Sequence, residues 1–178
     1  MATRRVAIAI LGEDPRVASV AAEALELMGL ELAGVKVHSV PVPCLDEARE
    51  QLRAECVAAF VRSVVEESLV ALGIVGADAY VPGLNFVFGL ALPSLRVATV
   101  YTPRLRIGAS YNLFRERLVK EVMHELGHVY GLSHCPNRLC VMSFSNSLLE
   151  VDMKRPAFCR RCASLLRRAG LEPRALLE

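Results

Sequence analysis

An α/β domain with a twisted mixed sheet flanked by helices is the fold class this sequence predicts, and three observations predict it. Strand-like and helix-like stretches alternate through the first half, in the order strand, helix, strand, helix, and then three more strands. A long helical stretch follows, with two of the four histidines inside it and a third just beyond its end. Four of the six cysteines crowd into the C-terminal stretch. At 178 residues the chain has enough length for one domain with a real core.

Each element has its own signal. Val6 to Leu11 is an unbroken apolar run that reads as a buried strand. It is short for a signal-peptide core and no small-residue cleavage site follows it, so a cytoplasmic protein is expected. Asp14-Pro15 supplies a helix cap and a proline at the first helical position, and Gly29 supplies the stop. Leu32 to Val40 alternates as a second strand and ends at Pro41 and Pro43. Asp46 to about Glu67 reads as one long helix, with Leu52, Cys56, Ala59, Phe60 and Val64 near helical spacing. Leu69–Val75, Asn85–Leu90 and Arg96–Thr102 are β-rich pieces separated by turn material at Asp78, Pro82-Gly83 and Pro93-Ser94. Tyr111 to Tyr130 reads as a helix closed at Gly131, and a short Arg-rich helix is expected from about Phe158 to Ala169, with irregular chain between the two. The expected organisation is a single domain over 1–178, with sheet and main helix in 1–131 and a metal-stabilised segment in 132–178.

Composition narrows the function classes. Apolar residues make up 53% of the chain and the mean hydropathy is +0.37, yet no apolar run approaches the roughly 18 residues of a membrane span. No membrane partner is expected. Lys and Arg total 21 against 19 Asp and Glu, a formal charge of +2 that does not call for nucleic acid. The arginines near the C-terminus (Arg155, Arg160, Arg161, Arg167, Arg168, Arg174) read as a solvated helix face.

The chemistry concentrates in the run from His124 to His134, His-Glu-Leu-Gly-His-Val-Tyr-Gly-Leu-Ser-His. Residues four apart lie on one helix face and rise together by about 6 Å, so His124 and His128 can reach one metal. Glu125 sits about 100° around the helix from His124, beside the metal, where its carboxylate can take a proton from water. Gly131 permits the sharp turn that returns His134 to the same centre. Three nitrogen ligands leave one position open, the mark of a catalytic zinc. His38 reads as an ordinary strand or surface residue.

The cysteines form a second pattern. Cys135-x4-Cys140-x18-Cys159-x2-Cys162 matches the two-plus-two spacing of a closed four-cysteine zinc site, with a redox Cys-x-x-Cys or four free thiols as alternatives. A closed site is structural, and such a zinc contributes about 10–16 kcal/mol in apparent terms, as much as a whole domain's stability. Cys44 and Cys56 stand apart and read as small buried hydrophobes. Adjacent His134 and Cys135 can point to opposite sides of an extended segment, so that one dipeptide serves two metals.

Up to His134 the motif resembles the metzincin clan of zinc peptidases. The run through Cys135, Cys140, Met142 and Phe144 to Phe158-Cys159-x2-Cys162, together with Asp78-Ala-Tyr-Val-Pro-Gly-Leu-Asn-Phe-Val-Phe-Gly89, resembles the archaemetzincin family. The dense match covers Asp78 to Cys162. The resemblance implies a compact metzincin-like domain, a Met-turn at Met142 beneath the catalytic zinc, and a second zinc on the four cysteines. It also implies a strand near Asn85–Leu90 that takes up a peptide or protein substrate in extended form. One departure is that none of the four tyrosines (Tyr80, Tyr101, Tyr111, Tyr130) lies beyond Met142, where some metzincins place an oxyanion-stabilising or ligating Tyr.

The function expected is therefore zinc metallopeptidase, with Glu125 as general base and two Zn2+ per chain. The resemblance implies aminopeptidase activity for some members, and the residues do not choose between amino-terminal and internal cleavage. The rival reading is a zinc-stabilised binding module whose peptidase site is latent or inactive.

Overall fold

The computed structural model describes residues 3–178. Its first strand, β1 (Arg5–Leu11), lies inside the main sheet, and helix α1 (Val17–Met28) and strand β2 (Glu31–His38) follow. The strands β3 (Leu45–Asp46) and β4 (Gln51–Arg53) form a small hairpin before helix α2 (Ala54–Val64). Strands β5 (Val70–Val75), β6 (Ala79–Tyr80), β7 (Gly89–Leu92) and β8 (Val97–Tyr101) come next. The short helix α3 (Thr102–Leu105), the long α4 (Tyr111–Val129), α5 (Leu148–Met153) and α6 (Arg160–Arg168) complete the chain.

The main sheet has the order β2-β1-β5-β8-β7, and a second sheet has the order β3-β4-β6. In the main sheet β2, β1, β5 and β8 run parallel, while β7 pairs antiparallel with β8 and leaves its other edge free. The mixed sheet flanked by helices is the fold class the sequence implies. β5 is buried at every residue, as a central strand covered on both faces must be. Val6, Ile8 and Ile10 face one core with α1 and α4, whereas Ala9 and Leu11 face the other with α2. The apolar spacings explain the docking. Val17, Val20, Ala21, Ala24, Leu25 and Met28 form one stripe on α1, and Ala54, Val57, Ala58 and Val61 form one on α2. Full burial of such Val, Leu and Ile side chains contributes about 1.5–3 kcal/mol each.

β2 is the opposite edge, with Leu32, Val35 and Val37 exposed and a register shift against β1 between Val6 and Ala7. His38 ends this strand, its ring edge-on to Phe60 at 5.9 Å. Among the described residues no helix is long and apolar enough to cross a membrane.

Several expectations are corrected. The long helix from Asp46 is only α2, because Leu52 and Arg53 pair with β6, whose Ala79 and Tyr80 lie far along the chain, and Gln51 pairs back with Asp46. The strand expected over Asn85–Leu90 starts at Gly89 and runs to Leu92, since Asn85 to Phe88 are taken up by a loop held through side chains. The segment after His134 is not wholly irregular: Ser147 accepts the Glu150 N–H, and the Glu150 carboxylate accepts the Asn146 N–H and the Ser147 hydroxyl, a relative of the capping box that starts α5. Helix α1 begins at Val17, after a turn in which the Asp14 carboxylate accepts the Arg16 N–H.

Cys44 and Cys56 are not free apolar side chains. They form a disulfide with Cα atoms 5.5 Å apart, because the β3–β4 hairpin between them doubles back. Closing a loop of 12 residues removes chain entropy from the unfolded state worth about 3 kcal/mol. The Cys44→Ala/Cys56→Ala pair is expected to lose about that much unfolding free energy in urea denaturation. An unchanged midpoint would show that the hairpin is held without the bridge.

Candidate metal centres and active site

Helix α4 builds the site. Ser110 caps its start by accepting the Leu113 N–H. The helix then runs between the sheet and the C-terminal segment, so even Arg117, Lys120, Glu121, His124 and Glu125 are buried. The helix ends at Val129 with Tyr130 as its cap, and Gly131 follows with a φ of 89°, a conformation glycine adopts without strain. The reversal brings His134 back to the two histidines above it, as its spacing implies.

The three ring nitrogens offered by His124, His128 and His134 lie within 4.8 Å of one another. Their tautomers follow from their partners. The Nδ1–H of His124 donates to the Val141 carbonyl at 2.9 Å, and that of His128 to the Leu132 carbonyl at 2.7 Å. A carbonyl can only accept, so each Nε2 carries a lone pair, and the two Nε2 atoms face each other at 3.1 Å. Two lone pairs at that distance repel unless a cation lies between them. Zinc–nitrogen bonds of 2.0–2.1 Å in a tetrahedron set the N···N separation at about 3.3 Å, so the donor set fits zinc. Burial, then Lys154 and His128, holds the His124 imidazole well below its ordinary pKa, and burial lowers His128 and His134 in the same direction. Neutral imidazole is the ligating form.

Glu125 borders the same cleft, against Gly89 of β7. Burial, and then the nearby Glu121, push its carboxyl well above the usual carboxylate range. The cleft has a volume of about 760 Å³ and is walled by the Val81–Phe88 loop and β7 on one side, and by His128, His134 and Phe144 on the other. Phe144 packs edge-on to the His134 ring at 5.1 Å. Met142 lies fully buried beneath the helix, where a Cβ on Gly127 would come within 2.4 Å of its Sδ. The glycine between the histidines therefore lets the methionine approach.

Cys135, Cys140, Cys159 and Cys162 converge, with all four Sγ atoms within 4.8 Å of one another. Cys135 and Cys159 are 3.7 Å apart, too far for the roughly 2.05 Å of a disulfide. Zinc–sulfur bonds of 2.3 Å place tetrahedral thiolates about 3.8 Å apart, so this set also fits zinc. Burial pushes the Cys140 thiol up to about 11 and raises Cys162 as well. At Cys159 burial acts the same way, but hydrogen bonding from the Cys162 N–H and neighbouring thiols outweighs it and lowers the pKa.

Sequence reasoning missed two buried groups. Lys154 Nζ lies 2.9 Å from Glu121 Oε1 and also donates to the Ser143 carbonyl. Glu121 precedes His124 by three residues and Glu125 by four, so helical spacing places it on the site face. Nothing local marks Lys154, which sits between Met153 and Arg155. No tyrosine supplies the group absent after Met142: Tyr101 donates to the Ala54 carbonyl and Tyr130 to the Thr3 carbonyl.

The model of peptidase family M54 matches residues 44–168. An archaemetzincin of Aeropyrum pernix is 49% identical over 150 residues, covering 82% of this chain and 81% of that protein. The crystal structure of archaemetzincin from Methanopyrus kandleri superposes with a TM-score of 0.81 at 40% identity, over 94% of this chain and 96% of that one. The archaemetzincin from Archaeoglobus fulgidus, solved with malonate, gives a TM-score of 0.81 at 38% identity, over 90% and 99%. This chain belongs to the archaemetzincins of peptidase family M54 and is a zinc metallopeptidase.

Proposed function

We propose that the chain hydrolyses peptide bonds at a catalytic zinc held by His124, His128 and His134, with Glu125 as general base. A second, structural zinc sits on Cys135, Cys140, Cys159 and Cys162, and Met142 is the Met-turn. The observation that carries this reading is the pair of Nε2 lone pairs facing each other at 3.1 Å with Glu125 on the same cleft. When bound, the catalytic zinc polarises the scissile carbonyl and lowers the pKa of water toward about 7.

The rest falls to the chain's own residues. The Val141 and Leu132 carbonyls hold the His124 and His128 rings in the ligating tautomer. The Glu125 carboxylate takes a proton from the attacking water and passes it to the leaving amine. The free edge of β7, which contributes Gly89, Leu90 and Ala91 to the cleft, accepts the substrate as an added antiparallel strand. Such binding rests on backbone hydrogen bonds and favours extended peptide or protein segments. A single-domain organisation and a cytoplasmic location belong to the same reading.

Metal analysis of the purified chain is expected to give two zinc ions per chain, one removed by mild chelation and one resistant. One resistant ion alone would favour the binding-module reading. Glu125→Gln is expected to keep both metals and to lower kcat on a mixed peptide library by about 10²–10⁴-fold. Wild-type turnover in that variant would remove Glu125 from the mechanism. Profiling the products of the wild type separates amino-terminal trimming from internal cleavage.

A further inference from the structure

We infer that the Leu45–Arg53 hairpin is a prop for the substrate cleft and that Arg49 and Gln51 are positioning residues for its outer wall; the inference rests on the peptidase reading above. The wall is the loop from Val81 to Phe88, which lends Leu84, Asn85 and Phe86 to the cleft. Its main-chain support lies at its ends, with Val87 N–H donating to the Ala79 carbonyl and Tyr101 N–H to that of Phe88, and between them only Leu84 N–H reaches a backbone carbonyl, that of Val81. The carbonyls at its tip are held by side chains from the hairpin instead. Arg49 Nη2 donates to the Leu84 and Asn85 carbonyls at 3.2 and 3.1 Å. Gln51 Nε2 donates to the same Asn85 carbonyl at 2.9 Å.

The two side chains are themselves fixed. Gln51 Oε1 accepts from Arg49 Nε at 3.0 Å, and Gln51 Nε2 also donates to Asp78 Oδ2 at 2.9 Å. Asp78 is gripped by both forks of Arg104, whose guanidinium lies 4.0 Å above the Phe86 ring. Arg49 lies 3.8 Å above the Tyr80 ring, and the Tyr80 hydroxyl donates to Asp46 Oδ2 at 2.6 Å. At the base of the hairpin, Cys44 precedes β3 directly and its disulfide reaches Cys56 at the start of α2. None of these groups touches the histidines. They act on substrate only through the loop, which lines the cleft together with β7 and Glu125.

The test compares two probes of the zinc-loaded enzyme. Acetohydroxamate needs only the metal site, whereas a peptidyl hydroxamate must also lie along β7 and the wall. In Arg49→Met and Gln51→Leu, affinity for the peptidyl probe is expected to fall about 10-fold, with KM for peptides rising alike. Zinc content, acetohydroxamate affinity and kcat are expected to stay within about 2-fold. Arg49 is exposed, so its variant tests the idea even if Gln51→Leu folds poorly. Arg49→Lys, which keeps a donor toward the two carbonyls, is expected to recover most of the loss, and the Cys44→Ala/Cys56→Ala pair to share part of it. Variants that bind both probes as the wild type does, or lose both along with zinc, overturn the inference. A wild type that binds neither probe and cleaves nothing overturns the peptidase reading itself.

Discussion

Much of the site depends on one short segment, Cys140-Val141-Met142. The Val141 carbonyl accepts the Nδ1–H of His124 and so decides which nitrogen that ring presents. On one side Cys140 enters the thiol cluster, and on the other Met142 lies under the histidine helix. The segment is itself tied down, with Val141 N–H on the Ala157 carbonyl and Cys135 N–H on that of Met142. The thiol cluster and the histidine centre thus share a backbone, through Val141 to His124 and through Cys135 to His134. Ordering one constrains the geometry of the other.

The second constraint is the cost of burying charge. Helix α4 carries ionic groups on faces that an ordinary surface helix would expose, and Arg117, Lys120 and Glu121 are each answered. Arg117 grips Asp152 with two nitrogens and donates to the Leu105 and Ile107 carbonyls. Lys120 donates to the Val151 and Asp152 carbonyls, and Glu121 faces Lys154. The first two groups dock α5 on α4, and Lys154 joins the ligand helix to the chain just past Met142 through Ser143. These pairs make the C-terminal segment specific to this helix, where apolar contact alone would leave its register loose.

What was legible in the sequence follows the range of the interactions. The histidine trio, Glu125 and the cysteine set lie in one stretch, and helical spacing with metal-ligand spacing is enough to bring them together. Strands β1, β2, β5 and β8 were legible because apolar runs and proline or glycine stops are local signals. The hairpin was not, because Leu52 and Cys56 fall at helical spacing while their burial comes from β6 and from a disulfide. Cys44 and Cys56 could be paired only once that hairpin was known. Lys154 was hidden for the same reason, since a lysine looks solvated until Glu121 arrives from another element. Helix α5 did carry a local signal, the Ser147-x-x-Glu150 pattern, in a segment read as irregular chain.

The β2 edge has a consequence for how crowded molecules of this chain behave. An eight-residue strand with open backbone groups and exposed Leu32, Val35 and Val37 is a surface on which another chain's strand can add. The break in register opposite Val6 and Ala7 and the charge of Lys36 spoil the straight, alternating template that stacking requires. On the proposed function the β7 edge stays open to an incoming strand, so protection against fibril-like association has to be built into the far end.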